Sequence, residues 1–478
     1  LVVAQHHNGH LQVIDTHKEM VRLAAGLDAN NHLQRQVSER ALRCLERFGQ
    51  RLRTLPPDNV RVVGTYTLRR VRDGGAFLND ARARLGHEID IISGYEEARL
   101  IYLGVSHDLE DPHDRRLVVD IGGGSTELIL GQRFQPNRMH SLYMGCVSMS
   151  AACFADGRIT SERLNTVELT ALQELEPVQI HYRAPNWDTA IGASGTILTI
   201  DEVVRQQGWS SDGISAESLE RLCDLLIEIG DIENLDLPGL DGERAPVFPG
   251  GVAILRAVFK ALSIDHMQVS HGALREGLLH DLMGRFQQHD VRENSIRNLA
   301  ERYHVDAAHA RDVQATALHL YEHAASPWHF DVARHGNLLR WAAAVHEIGM
   351  DVAHAGYHKH GEYLLGNMNL AGFSLLEQRH LAFLVRAHRR KYPHEELENI
   401  ADDDRPTLVR LSVLLRLAVT LHRSRTDDPT PQLNVRATPK RITLGLSTTW
   451  LKAHPLTALD LSQEVDYLKA LPVELRIK

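Results

Sequence analysis

Leu117-Val118-Val119-Asp120-Ile121-Gly122-Gly123-Gly124-Ser125-Thr126-Glu127-Leu128-Ile129-Leu130 joins two apolar runs through three consecutive glycines. The pattern predicts strand, loop, strand. Glycine has no Cβ, so a phosphate can approach the loop backbone and meet its N–H groups, while Ser125 and Thr126 add hydroxyl donors. Asp120 and Glu127 bracket the loop with carboxylates. A dinucleotide-binding loop would open a helix, and a Walker loop would follow its glycines with Gly-Lys-Ser/Thr; neither pattern occurs here. A plain tight hairpin is the competing reading, because glycine is common at turns.

Around this segment, composition sets bounds. A chain of 478 residues with 43% hydrophobic content has ample core and room for about three domains. No window reaches the roughly 18 uninterrupted apolar residues of a membrane span. Residues Leu1 to His7 have neither the basic start nor the long apolar core of a signal peptide. Four cysteines, Cys44, Cys146, Cys153 and Cys223, form no CxxC pair. Free thiols in a reducing compartment are expected. Cytoplasm is the expected location, with peripheral attachment at the inner membrane as a further option. A net charge of −9 argues against coating of DNA.

The pattern up to about residue 285 alternates strands and helices, which predicts an α/β architecture with ligands near strand ends. Leu11 to Ile14 form the return strand of a first hairpin that turns at Asn8-Gly9. The chain begins inside the outgoing strand, so an upstream segment is expected. Strands are predicted over Val60 to Val63, Ile89 to Ile92 and Ala190-Ile191, each running into small residues. Beyond Arg285, helical apolar spacing dominates, as in Asn337 to Ile348 and Leu411 to Leu421. A linker at Asp427 to Pro431 and an alternating Arg441 to Leu446 predict a small β-containing tail.

Further segments carry chemistry. Ser93 and Glu96 have capping-box spacing, which occupies Glu96 and leaves Glu97 free. Glu97 beside a phosphate loop is placed to deprotonate a water; complementing the helix dipole is the alternative. Arg69, after Gly64-Thr65, offers a guanidinium fork that fits phosphate oxygens. Gly192-Ala193-Ser194-Gly195-Thr196 and Gly272-Ala273-Leu274-Arg275-Glu276-Gly277 are two more small-residue loops after strands.

Taken together, GT-x-TLR at 64 to 69, ISG-x-EEARLIY-x-GV at 92 to 105, VVDIGGGSTELI at 118 to 129, MGCVS at 144 to 148, GASGT at 192 to 196 and GALREG at 272 to 277 are collinear. With WAA-x-x-HE-x-G at 341 to 349, this set resembles the exopolyphosphatase and guanosine pentaphosphate phosphohydrolase family. The hairpin itself is similar to the second phosphate loop of the actin, sugar-kinase and Hsp70 superfamily. The resemblance implies an α/β fold of two actin-like (ribonuclease H-like) domains, 1–100 and 101–286, then a helical HD-like domain, 287–425, and a small α+β domain, 426–478. It implies hydrolysis of a terminal phosphate by in-line water attack, with Mg²⁺ as cofactor and a homodimer as the expected assembly. By position, Glu97 corresponds to the catalytic glutamate, with Glu127 as a second catalytic carboxylate. Asp120 and Glu127 are the metal-binding candidates, and Arg69, Gly122, Gly123, Gly124, Ser125 and Thr126 the phosphate-binding ones. The family's first phosphate loop, Asp-x-Gly-Ser-Asn-Ser, is expected immediately upstream of Leu1.

Two substrates fit: inorganic polyphosphate, and guanosine 5′-triphosphate 3′-diphosphate (pppGpp) as the alternative. The run Arg386, His388, Arg389, Arg390 and Lys391 resembles the polyphosphatase branch and adds cations that a long polyanion needs, which puts polyphosphate first. A solvated basic face is the simpler reading of such a run. An actin-like ATPase and a non-catalytic phosphate-ligand sensor are the readings outside the family. The histidines His346, His354, His358, His360 and His388 suggest a metal site. HD hydrolases use a His-Asp pair, however, and Glu347 follows His346, so a site that has lost its metal is expected.

Overall fold

The computed structural model describes every residue except 8, 9, 29, 73, 110–113, 288 and 426–430. The expected Asn8-Gly9 turn and most of the expected Asp427 to Pro431 linker lie outside the described residues. The chain divides into two compact units, Leu1–Asp290 and Val291–Lys478.

The first unit opens with the antiparallel hairpin β1 (Val2–His7) and β2 (His10–Thr16). The next two expected strands shrink to β3 (Val63–Gly64) and β4 (Asp90–Ile91), a short parallel pair. Their apolar neighbours pack instead with Phe77, Ala81, Leu85 and Ile89 in a small core. Strands β5 (Arg115–Ile121), β6 (Thr126–Gln132), β7 (Gln135–Leu142), β8 (Thr189–Ala193), β9 (Ile214–Ser215) and β10 (His266–Val269) form one sheet in the order β7-β6-β5-β8-β10-β9. The β5, β8 and β10 strands run parallel and the others antiparallel.

Both faces of β5 are covered, which is why Leu117 to Val119 read as a continuous apolar run. Helix Phe248–Leu262, nearly all buried, packs on one face of the sheet. Its stretch Ala245–Leu262 is long and apolar enough to cross a membrane, but 83% of it is buried inside the unit. Helix Gly94–Asp108 lies on the other face through Ala98, Ile101, Tyr102 and Val105. The line expected between residues 100 and 101 falls inside this helix.

A buried ionic group locks helix Gly94–Asp108 to helix Leu274–Phe286. Glu96 takes two 2.8 Å bonds from Arg99, and Arg99 and Arg61 both bond Asp281, which Arg285 reaches at 3.1 Å. Burial alone would raise the Asp281 carboxyl, but Arg99, Arg61 and Arg285 hold it well below the usual range. Removing one partner of such a group leaves an uncompensated buried charge.

The second unit holds the helices expected from the 3.6-residue spacing, among them Ala307–Ala324, Val332–Val345, Leu375–Ala387 and Arg405–Leu421. A three-stranded sheet, β11 (Asn434–Thr438), β12 (Arg441–Gly445) and β13 (Glu474–Ile477), completes it. Ile442, Leu444 and Leu475 belong to the same apolar cluster as Leu414 and Leu417, so this tail shares the helices' core.

Candidate functional site

The glycine loop closes β5 onto β6 with a Gly122 N–H bond to the Ser125 carbonyl at 2.9 Å. It is also the N-terminal cap of helix Cys146–Cys153. The Gly122 carbonyl accepts from Cys146 N–H, and the Gly123 carbonyl from Val147 and Ser148, at 2.9 to 3.1 Å. The first helical turn, whose N–H groups lack intrahelical partners, is thereby satisfied by the loop rather than by a side chain. At Gly145 a Cβ would strike the backbone of Gly123 and Gly124, and at Gly124 it would strike the Tyr66 ring. The MGCVS and GT-x-TLR segments are thus the walls of the loop.

Asp120 and Glu127 face each other across β5 and β6 as a direct register pair, and both are buried. Burial, then the Glu97 charge, push Asp120 up to about 7. Burial, Glu97 and Asp120 raise Glu127 well above the ordinary glutamate range, against hydrogen bonds from Ser141 and Ser125. The Ser141 hydroxyl donates to Glu127 Oε1 at 2.7 Å.

Glu97 lies in the first turn of helix Gly94–Asp108, whose N-cap Ser93 accepts from Glu96 N–H at 3.1 Å. Half of the expected capping box is therefore present, while the Glu96 carboxylate binds Arg99. Burial raises Glu97, and Arg69 and Thr65 pull in the other direction. Arg69 Nη1 donates at 2.8 Å to both Glu97 Oε2 and the Ile92 carbonyl. Glu97, Asp120 and Glu127 are thus brought together electrostatically, with Arg69 as the cation bonded to Glu97.

Two expectations change. The Thr126 hydroxyl donates to the Met144 carbonyl at 2.6 Å, deep in the protein, so it ties the loop to its neighbour rather than serving as a phosphate donor. The basic run in the second unit is largely committed as well. Arg386 pairs with Glu396 and Glu362, His388 is buried, and Arg389 lies 4.4 Å over the Tyr357 ring. Only Arg390 and Lys391 are exposed. Of the expected histidine cluster, His346, His358 and His388 are buried, whereas His354 and His360 are not.

Other residues join the site through tertiary pairing. Ala193 is the register partner of Asp120, so the GASGT segment lies beside the glycine loop. Ser194 there has φ of 87°, a region costly for a residue with a Cβ. A side chain at Gly195 would run into the Arg244 guanidinium. Lys18 is lowered by burial, then by the charges of Arg244 and Arg275, with Asp241 opposing, so these groups from distant segments lie within electrostatic reach of one another. The small-residue GASGT and GALREG segments were the signals in the sequence for this side of the site.

The sequence profile of the Ppx/GppA phosphatase family matches residues 2–286, and that of Ppx/GppA phosphatase domain III matches 291–465. A guanosine-5′-triphosphate,3′-diphosphate pyrophosphatase of Aeromonas hydrophila is 37% identical over 466 residues, covering 98% of this chain and 94% of the relative. Its counterpart from Vibrio cholerae serotype O1 is 37% identical over 469 residues, covering 98% and 93%. An exopolyphosphatase structure from Cytophaga hutchinsonii aligns with a TM-score of 0.54 at 22% identity, covering 59% of this chain and 94% of its own. That likeness concerns the fold alone.

Proposed function

The chain belongs to the Ppx/GppA phosphatase family and is a phosphoanhydride hydrolase; from that premise we propose that its substrate is pppGpp, cut by water into ppGpp and inorganic phosphate. The observation that carries the reading is 37% identity sustained over 98% of the chain with pppGpp pyrophosphatases. The cations agree with it. pppGpp bears two separate phosphate groups, and one glycine loop serves only the 5′ group. Lys18, Arg244 and Arg275 supply a second cationic cluster, suited to the 3′-diphosphate. The basic run that favoured polyphosphate is mostly occupied by internal partners.

In this reading the N–H groups of Gly123 and Gly124, with Ser125, cradle the terminal phosphate, since the Gly122 N–H is used within the turn. Glu97 accepts a proton from the attacking water, because burial moves its pKa toward the working pH while Arg69 fixes its orientation. As the new P–O bond forms, the bond to the bridging oxygen breaks and the charge leaves on the 5′-diphosphate of ppGpp. Asp120 and Glu127 fit a hard divalent cation: burial and the neighbouring carboxylates make both hold their protons more tightly, and a cation between them would favour the ionised forms instead. Mg²⁺ held by one or both would supply charge neutralisation on the phosphate oxygens.

Phosphate release from pppGpp, long-chain polyphosphate and ATP, measured side by side with Mg²⁺, tests the proposal. The highest kcat/KM is expected for pppGpp. A preference for polyphosphate would restore the other branch, and release from ATP alone would contradict both. Lys18→Gln and Arg275→Gln are each expected to raise KM for pppGpp about tenfold, the scale of one lost charge-assisted bond, and to change KM for GTP little. Equal effects on both nucleotides would remove these cations from the 3′-diphosphate role.

A further inference from the structure

Two imidazoles and a carboxylate converge in the core of the second unit, far in sequence from the catalytic carboxylates. His309 lies in the first turn of helix Ala307–Ala324, and His346 and Glu347 lie at the end of helix Val332–Val345. All three are buried, His346 completely. Their ligand atoms lie within 4.8 Å of one another, the only such group found among the described residues. His309 Nε2 and His346 Nε2 are 3.8 and 3.9 Å from Glu347 Oε1.

The hydrogen bonding of His346 makes this group more than a packing accident. His346 Nδ1 lies 2.8 Å from the Ala343 carbonyl, which can only accept, so the proton belongs on Nδ1 and Nε2 presents a lone pair. That Nε2 is buried and has no hydrogen-bond partner. His388 is held in the same way, by the Val385 carbonyl, but its Nε2 finds the Tyr357 hydroxyl at 3.4 Å. At His346 the lone pair instead faces a carboxylate oxygen, and two acceptors facing each other in a dry core are unfavourable unless a cation or donor sits between them. A backbone carbonyl fixing the far nitrogen of a histidine is also the support that metal-ligating histidines receive.

We propose that His309, His346 and Glu347 form a binding site for one divalent transition-metal ion, with Zn²⁺ as the ion that fits the donor set. Two nitrogens and one oxygen suit a borderline cation rather than Mg²⁺, and three protein ligands leave a coordination position open to water. Tetrahedral Zn²⁺ places its ligand atoms about 3.3 Å apart, so the two nitrogen–oxygen separations of 3.8 and 3.9 Å close by about half an ångström on binding. Arg425 Nη2 contacts both Glu347 oxygens, at 2.5 and 2.6 Å, while its Nη1 donates to Asp306 Oδ2 at 3.3 Å. This guanidinium neutralises Glu347 in the ion-free protein and opposes the ion, so it sets the affinity.

The test is titration of the full chain, stripped with EDTA and held in excess Mg²⁺, with Co²⁺ followed by its visible d–d absorption. One equivalent is expected to bind with the intensity of a four- or five-coordinate nitrogen–oxygen site and to be displaced by Zn²⁺. His309→Ala is expected to weaken Zn²⁺ binding by at least about tenfold, and Arg425→Gln to strengthen it. Far-UV circular dichroism in EDTA separates a lost ligand from a lost fold. The proposal is overturned if the native chain binds no Co²⁺ beyond what His309→Ala binds, or if the absorption is that of the hexa-aquo ion.

Discussion

Glu97 and Asp120 occupy similar burial but are expected to answer substitution differently. Glu97 is the proposed base, and Arg69, the cation bonded to it, is already placed by the Ile92 carbonyl. Glu97→Gln keeps the shape and removes the basicity, so kcat should fall by about 10²- to 10⁴-fold while pppGpp affinity, read by calorimetry, stays within about twofold. A wild-type rate would remove Glu97 from that role. Asp120 is pushed up to about 7, first by burial and then by Glu97. A raised carboxyl pKa means that the folded state binds the proton more tightly, so stability is lost as pH rises from the unfolded value near 4 through about 7. In EDTA, Asp120→Asn should therefore match the native chain near pH 4 and exceed it at pH 8, by up to about 4 kcal/mol. A stability difference that does not change with pH would contradict this account of the buried charge.

At the scale of elements, the site depends on close backbone approach. Helices Gly94–Asp108 and Leu274–Phe286 touch where Gly104 meets the Ala273 carbonyl and Gly277 the Leu100 carbonyl, with no space for a Cβ. Gly277→Ala should cost about 2–3 kcal/mol and lower the urea midpoint of the first unit, because the obstacle is backbone and cannot rotate away. An unchanged midpoint would show that the helices can part without cost. This dependence explains what could be read in the chain. Strands β5 and β6 were legible because both are buried on both faces and joined by a short glycine loop. The third and fourth expected strands were legible only at their ends, since Val60 and Val62 are apolar for packing rather than for pairing. The placement of GASGT beside Asp120 exists only through β5 to β8 pairing, which no local pattern encodes. The Lys18, Arg244 and Arg275 cluster likewise comes from three separate segments. Thr126 read as a donor because its hydroxyl stands in the motif, yet a strand residue alternates faces, and this one points to Met144. The histidines chosen by nearness in sequence omitted His309, which joins His346 through helix packing.

Across the whole molecule, a loop, a helix N-terminus and two strand ends of the first unit assemble the proposed chemistry, while the second unit has its own core. Long-range polyanion binding would require the second unit's cations to be free. Arg416 is instead buried on Glu464 and Arg423 pairs with Asp460, in keeping with a compact nucleotide as substrate. The affinity for pppGpp should accordingly fall less steeply with salt than that of a protein making many phosphate contacts. In the proposed reaction Glu97 directs water onto the terminal 5′ phosphorus of pppGpp held by the Gly122 to Ser125 loop. Hydrolysis of pppGpp in ¹⁸O-labelled water with Mg²⁺ tests it most directly, with both products analysed by mass spectrometry. One label is expected in the released inorganic phosphate and none in ppGpp; label in the nucleotide, or release of pyrophosphate, would rule out water attack at that phosphorus.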